Sequence, residues 1–170
     1  MAEKIYNVLF LCTGNSCRSV FAESILNRIS DGRYRGYSAG SHPTGTVNPY
    51  TTEVLQRFDH PTEHLRSKSW DEFASADAPR MDFIITVCDQ AAGEVCPVWP
   101  GKPALAHWSF PDPAKYEGSD EQKRAFFTKV YGMINNALSM FVSLQLEVLD
   151  PDALKQKLAA IGETIGKSNP

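Results

Sequence analysis

The segment Cys-Thr-Gly-Asn-Ser-Cys-Arg-Ser at residues 12–19 places a thiol and a guanidinium in one short loop. An apolar run precedes the segment and an amphipathic pattern follows it. If a strand ends at Leu11 and a helix begins near Ser19, the intervening N–H groups turn inward and form a cradle for a tetrahedral oxyanion. The positive end of that helix and the charge of Arg18 would lower the pKa of Cys12. The sequence therefore predicts an oxyanion-binding loop in which Cys12 is a thiolate nucleophile.

The remaining loop residues suit the same chemistry. The planar fork of Arg18 can bind two oxygens of phosphate or arsenate and follow their charge into the transition state. Thr13 and Ser19 can donate hydroxyl hydrogen bonds to the thiolate or orient the loop. Asn15 suits a left-handed turn, and Gly14 permits a tight path. The predicted oxyanion-binding residues are Thr13, Gly14, Asn15, Ser16, Cys17, Arg18 and Ser19.

Two alternative roles for the loop are open. It could be an ordinary strand-to-helix connection with two structural cysteines, because free cysteine is often buried. It could also bind a metal through Cys12 and Cys17, although no histidine-containing partner pair lies near them in the sequence.

Apolar periodicity predicts the elements that position this loop. Buried strands are expected at residues 5–11 and 81–87, a short strand near residues 35–39, and another short candidate at 104–108. Helices are expected at residues 20–29, 50–58, 121–141 and after 151. Cys12 and Cys88 each follow the C-terminal end of a strand, where open α/β sheets place their ligand crevices. The pattern indicates a single parallel-sheet α/β domain.

Composition narrows the class of protein. A chain of 170 residues with 42% hydrophobic content can bury one substantial core. The net charge of −3, with scattered Lys and Arg, predicts no nucleic-acid or membrane partner. No signal peptide or transmembrane run is evident, so we expect a cytoplasmic protein. In that reducing compartment, cysteines are typically reactive or metal-binding rather than paired in structural disulfides.

The segment Leu-Phe-Leu-Cys-Thr-Gly-Asn-Ser-Cys-Arg-Ser-Val-Phe-Ala-Glu at residues 9–23 resembles the signature of the low-molecular-weight protein tyrosine phosphatase family. The resemblance implies a four-stranded parallel sheet flanked by helices, a phosphocysteine intermediate and a general-acid aspartate before a proline. Asp112-Pro113 matches the last feature. Asp112 can protonate the leaving group while Pro113 restrains its loop, and the alternative is that Asp112 is an ordinary turn former.

A second segment, residues 86–97, resembles the thioredoxin-coupled arsenate reductases built on the same fold. The resemblance implies that Cys12 attacks arsenate, that Cys88 then attacks Cys12, and that Cys96 attacks Cys88. An external thiol, either thioredoxin or glutaredoxin with glutathione, would reduce the resulting disulfide, and no tightly bound cofactor is expected. Ordinary buried cysteines or a metal pair are the alternatives for Cys88 and Cys96.

The resemblance has two smaller implications. It implies a potassium site at Asn15, Glu23 and Ser38. It also suggests that Cys17 could form a protective disulfide with Cys12. For Cys17 we favour inert loop filler. His42 and His107 show no partner in the sequence and are interpreted as surface or core histidines.

The resemblance extends from residue 5 to about residue 138 and leaves the last helix outside it. Asp150-Pro151 is typical of a helix start, because Asp caps the N-terminus and Pro suits the first turn. We therefore expect a phosphatase-like arsenate reductase domain at residues 1–145 and a C-terminal helical extension at residues 146–170 packed on the same domain.

Three functions follow as hypotheses. The leading one is an arsenate reductase with a Cys12/Cys88/Cys96 disulfide relay. The alternative is a phosphatase that hydrolyses phosphotyrosine or small phosphate esters, for which Trp99 and Trp108 are the candidates to hold an aromatic ring. The third is a non-catalytic oxyanion-binding or redox-sensing module that uses Cys12 as a switch.

Overall fold

A four-stranded parallel sheet forms the centre of the molecule. The structure is a computed structural model that describes residues 4–89, 99 and 101–168. In chain order the strands are β1 (Tyr6–Cys12), β2 (Tyr34–Gly40), β3 (Phe83–Thr86) and β4 (Ala104–His107), and their order in the sheet is β2-β1-β3-β4. The predicted α/β fold with a four-stranded parallel sheet is confirmed.

Helices cover the sheet at the predicted places, with bounds that shift slightly. They are α1 (Arg18–Ile29), α2 (Pro49–Arg57), α3 (Asp120–Val142) and α4 (Pro151–Ser168), with short 3-10 turns at Trp70–Phe73, Pro113–Lys115 and Leu146–Val148. Capping sets two of the starts, because a cap satisfies N–H groups that the first turn leaves free. The Asn48 side chain accepts from Tyr50 N before α2, and Ser119 forms a reciprocal capping box with Gln122 before α3.

Strand β1, in the middle of the sheet, is buried on both faces. Along β1, Val8 and Phe10 enter a large core, whereas Leu9 and Leu11 enter a smaller one on the other face. Helices supply the large core, and the 3-10 turn Trp70–Phe73 covers the small one. Burial on both faces explains why β1 is almost continuously apolar. The strand ends on Cys12 at the carboxyl edge of the sheet.

The predicted C-terminal helix is present as α4, which packs against α3 and β4. Leu158, Ile161 and Ile165 bury its inner face in the large core. The division of the chain after residue 145 stays a prediction. Within residues 4–89, 99 and 101–168, no helix is both long and apolar enough to cross a membrane.

Candidate active site

The loop between β1 and α1 turns its carbonyl oxygens outward, where they accept backbone hydrogen bonds. These bonds run from His42 N to Thr13 O at 2.9 Å, from Thr44 N to Gly14 O at 3.0 Å and from Asn48 N to Ser16 O at 3.0 Å. In a planar trans peptide the following N–H points opposite to the carbonyl. The N–H groups that follow Thr13, Gly14 and Ser16 therefore face the inner side of the loop, as expected for an oxyanion cradle.

Asn15 holds the loop in shape. Its φ of 47° lies in the left-handed region, as predicted. The fully buried side chain donates from Nδ2 to Ser19 Oγ at 2.8 Å and accepts from Lys68 N at Oδ1 at 2.9 Å. Asn15 thus ties the loop both to the first turn of α1 and to the segment before the Trp70–Phe73 turn.

Gly40, at the end of β2, was not singled out from the sequence but is needed for the tight path. A Cβ atom on Gly40 would lie 2.5 Å from Thr13 O, so no other residue fits there without moving the loop. A Cβ atom on Gly14 would lie 3.2 Å from Thr44 Cγ2, which is the end of a side chain. The closest backbone approach is therefore at Gly40 rather than at the predicted Gly14.

The first turn of α1 is open to a ligand. Cys17 occupies the N-cap position and its side chain makes no capping hydrogen bond. N–H groups at a helix start with no side-chain cap are available to an anion. They border a cavity of about 580 Å³ that is lined by Cys12, Arg18, Cys88 and Asp112, among others. The structure thus gathers four of the predicted catalytic residues, and the fifth, Cys96, lies outside the described residues.

Arg18 spans the cavity from α1 to the loop after β4. Its Nη1 donates to Phe110 O at 3.0 Å, and its Nη2 lies 3.4 Å from Asp112 Oδ2. The Nε atom is buried and has no hydrogen-bond partner among the described residues. A buried charged donor without a partner is costly, so an anion in the cavity would complete the guanidinium's bonds.

Asp112 faces the same cavity. Its Oδ1 accepts from Ala114 N at 3.0 Å, at the start of the 3-10 turn Pro113–Lys115, and its Oδ2 pairs with Arg18. The carboxyl group is both a turn former and a cavity residue, so the two roles predicted for Asp112 are compatible. Its position permits proton transfer to a group bound in the loop.

Cys88 lies next to Cys12, and both side chains are buried. The hydrogen bond with Cys88, together with burial, raises the pKa of Cys12 above its ordinary value, while Arg18 and the Gly14 N–H act in the opposite direction. This corrects the prediction of a lowered pKa, because that prediction considered the helix end and Arg18 but not the burial of Cys12 or its hydrogen bond with Cys88. When the Cys12–Cys88 pair loses one proton, the thiolate accepts a hydrogen bond from the remaining thiol. Loss of both protons would instead place two negative charges side by side. The Thr13 hydroxyl lies 3.6 Å from Cys88 Sγ.

Cys17 also lines the cavity. Burial raises its pKa to about 12, despite a hydrogen bond with the Thr51 side chain. The pKa of Cys12 is raised as well, so the direction of the shift does not separate the two thiols, and inert filler stays the prediction for Cys17.

Lys68 occupies the surroundings of the predicted potassium site. Its Nζ lies 3.8 Å from Glu23 Oε1, with both side chains almost buried, and Ser38 Oγ donates to the same carboxylate oxygen at 2.6 Å. The carbonyl oxygen of the Asn15 side chain already accepts from the Lys68 backbone. These residues do not fit a potassium ion, because an ammonium group already neutralises the carboxylate and the amide oxygen is engaged.

Both histidines that lacked a visible partner have one. His107 Nδ1 bonds Thr86 Oγ1 at 2.7 Å, and its Nε2 bonds Asp89 Oδ1 at 2.8 Å. His42 Nδ1 lies 3.1 Å from Ser41 Oγ. The partners of His107 come from β3 and the residues after it, and sequence reasoning missed them because strand register is not visible in one sequence.

Two hydroxyl groups that sequence reasoning also missed support the loop from outside. Ser67 Oγ donates to Gly14 O at 2.9 Å, and Thr51 Oγ1 donates to Ser16 O at 2.9 Å. Both donors come from segments far along the chain that carry no motif. No local signal could have found them.

The sequence matches one known family over most of its length. The sequence profile described as low molecular weight phosphotyrosine protein phosphatase matches residues 7–158. The chain belongs to that family.

Within the family, the chain is similar to proteins named arsenate reductase. It is 37% identical over 134 residues to one from Halalkalibacterium halodurans, covering 79% of this chain and 93% of that protein. It is 36% identical over 141 residues to one from Bacillus subtilis, covering 83% of this chain and 96% of that protein. A thioredoxin-dependent arsenate reductase of Corynebacterium glutamicum shares the fold with a TM-score of 0.57 at 24% identity, covering 86% of this chain and 65% of that one.

Proposed function

We propose that this protein reduces arsenate to arsenite, with Cys12 as the nucleophile and a disulfide relay as the source of electrons. The observation that carries the proposal is the buried thiol of Cys88 against Cys12 inside the oxyanion cavity. Ester hydrolysis needs water at that point and has no use for a second thiol. The relatives named arsenate reductase support the same function.

In the first step the Cys12 thiolate forms a bond to arsenic, and one oxygen leaves as water. The inward N–H groups and Arg18 hold the remaining oxygens and stabilise their charge. Asp112 supplies a proton to the departing oxygen. The unpartnered Nε of Arg18 supports this role, because the oxyanion would provide its missing acceptor.

In the second step the Cys88 thiolate attacks Cys12 Sγ. A sulfur–sulfur bond forms, the sulfur–arsenic bond breaks, and the electron pair leaves with arsenic as arsenite. The enzyme has then given two electrons to the substrate and holds a Cys12–Cys88 disulfide. The Thr13 hydroxyl at 3.6 Å from Cys88 Sγ is suitably located to support the attacking thiolate.

In the third step Cys96 attacks Cys88, which frees Cys12 and leaves a Cys88–Cys96 disulfide. We propose thioredoxin as the external reductant, with glutaredoxin and glutathione as the alternative. The Corynebacterium neighbour, described as thioredoxin-dependent, supports the first choice. A cytoplasmic location fits this scheme, because the resting enzyme needs reduced thiols.

Comparing two activities in one variant tests the relay. We expect Cys88→Ser to lose arsenite formation with thioredoxin while it retains p-nitrophenyl phosphate hydrolysis, because Cys88 is needed only after the first step. Cys12→Ser should lose both activities, since the first step is shared. Arsenite production by Cys88→Ser at the wild-type rate would contradict the proposal.

Phosphate-ester hydrolysis is the second candidate, and the family itself favours it. The structure removes one support for a phosphotyrosine substrate. Trp108 is 1% exposed and packs against Phe141, so its ring is not available to a substrate. Trp99 packs edge-on against Trp70. Neither of these two predicted ring-holding residues lines the cavity in the described part of the chain.

A further inference from the structure

Trp108 connects the C-terminal helix α4 to the loop that carries Asp112. It follows β4 directly, and its backbone N–H extends the sheet by donating to Thr86 O at 2.8 Å. The indole ring is 1% exposed, and its Nε1 donates to Leu158 O in α4 at 3.0 Å. A buried indole N–H requires such a partner, so the hydrogen bond fixes the ring against the helix.

Gly162, one turn beyond Leu158, lets α4 come close to this point. A Cβ atom on Gly162 would lie 3.2 Å from His107 O and 3.3 Å from Trp108 Cδ1. Both contacts are tighter than ordinary van der Waals distances, and one of them is to backbone. The helix α4 therefore packs directly on the backbone where β4 ends and the loop that carries Asp112 begins.

The loop after Trp108 is held at a second point by Arg18. Phe110 is 3% exposed and its carbonyl accepts from Arg18 Nη1 at 3.0 Å, while Arg18 Nη2 faces Asp112 at 3.4 Å. The few residues between Trp108 and Asp112 thus run between two anchors, α4 on one side and the oxyanion loop on the other. Little freedom remains for the carboxyl group.

We propose that α4 positions the general acid, with Trp108 and Gly162 as positioning residues for Asp112. The alignment with the Bacillus subtilis relative uses 96% of that protein but 83% of this chain, so this chain carries residues without a counterpart there. The inference rests on the proposed role of Asp112. It adds that this chain's own C-terminal helix sets the geometry of proton transfer.

The test compares kcat/KM for two esters, phenyl phosphate and p-nitrophenyl phosphate. Phenolate is the poorer leaving group, so its release depends more on protonation by Asp112. The ratio of the two values within one variant does not depend on the fraction of folded protein. A merely structural role for α4 would therefore lower both values by the same factor and leave the ratio unchanged.

Gly162→Ala and Trp108→Phe are the test variants. We expect both to lower the ratio of phenyl to p-nitrophenyl phosphate kcat/KM by about tenfold, because a small displacement of a catalytic group is costly. Gly132→Ala is the matched control, since it makes the same change in α3 where a Cβ atom meets nothing within 4 Å. It should keep the wild-type ratio.

Asp112→Asn separates the possible failures. If it lowers the ratio while Gly162→Ala and Trp108→Phe do not, the role of α4 is wrong and the acid role stands. If Asp112→Asn leaves the ratio unchanged, or if the wild type hydrolyses neither ester, the proposed chemistry of the cavity is wrong and this inference falls with it.

Discussion

At the scale of single residues, the guanidinium of Arg18 contacts several parts of the cavity at once. One of its terminal nitrogens holds Phe110 O, another faces Asp112, and Nε is buried without a partner among the described residues. A planar fork can serve all three directions at once, whereas an ammonium group on a flexible stem cannot. Arg18 therefore links the acid loop to the oxyanion rather than only neutralising charge.

We predict that Arg18→Lys lowers both arsenite formation and phosphate-ester hydrolysis by about 10²- to 10³-fold, the usual effect of losing one oxyanion donor. Steady-state rates of both reactions, with circular dichroism to verify folding, provide the measurement. A loss below about threefold in either reaction would mean that the charge of residue 18 suffices and that its shape has no role.

Single residues also mark the limit of sequence reasoning. Cys12, Arg18 and Asn15 could be recognised because they are close together in one loop whose chemistry depends on local geometry. Lys68 could not, because it reaches Asn15 across 53 positions and belongs to a segment without periodicity. The raised pKa of Cys12 was missed because burial and the hydrogen bond with Cys88 depend on tertiary packing, which the local motif does not show.

At the scale of elements, the contact between α3 and the loop after α2 includes a titratable group. His60 Nε2 lies 2.7 Å from Tyr131 Oη, and the histidine side chain is buried. Burial, followed by the charge of Arg28, lowers the pKa of His60 to about 4. Between that value and the pKa of about 6.5 in an unfolded chain, the unfolded state binds more protons than the folded state.

The contribution of neutral His60 to the free energy of unfolding should therefore be fully present above about pH 6.5. It should be lost as the pH decreases towards 4. We predict that His60→Gln, which keeps a hydrogen-bonding side chain, removes about 2 kcal/mol of this fall after allowance for solvent screening. Urea titrations at pH 7 and pH 4.5 measure it. His42→Gln in an exposed loop is the control, and identical pH slopes in all three proteins would refute the assignment.

Element types followed from apolar periodicity, because buried strands and amphipathic helices have different repeats. Their bounds did not, since caps such as the Asn48 side chain set them through contacts of single atoms. Strand register was also out of reach. The pairing of Thr86 with His107 comes from the β3–β4 ladder, and it is this pairing that gives His107 its hydrogen bonds.

At the scale of the whole molecule, α4 shares one core with the sheet. Leu158, Ile161 and Ile165 belong to the same buried cluster as Phe141 and Trp108. A C-terminal extension packed on the same domain should unfold together with it, because its described buried residues belong to the large core of that domain.

We predict that Leu158→Ala lowers the free energy of unfolding by about 3 kcal/mol and leaves a single transition. Far-UV circular dichroism and tryptophan fluorescence should give the same midpoint in urea, in the variant as in the wild type. Two separated midpoints, with helical signal lost first, would instead make residues 146–170 an independent unit.

The central claim is that the electrons for arsenate reduction come from the protein's own cysteines, beginning at Cys12 and Cys88. The most direct measurement is one turnover of the fully reduced protein with arsenate and no added reductant, followed by quantification of arsenite and mass mapping of the cysteines. We predict one arsenite per protein, together with a Cys88–Cys96 disulfide and a free Cys12. Absence of arsenite and four free thiols, with phosphate-ester hydrolysis intact, would contradict the claim and identify the protein as a phosphatase.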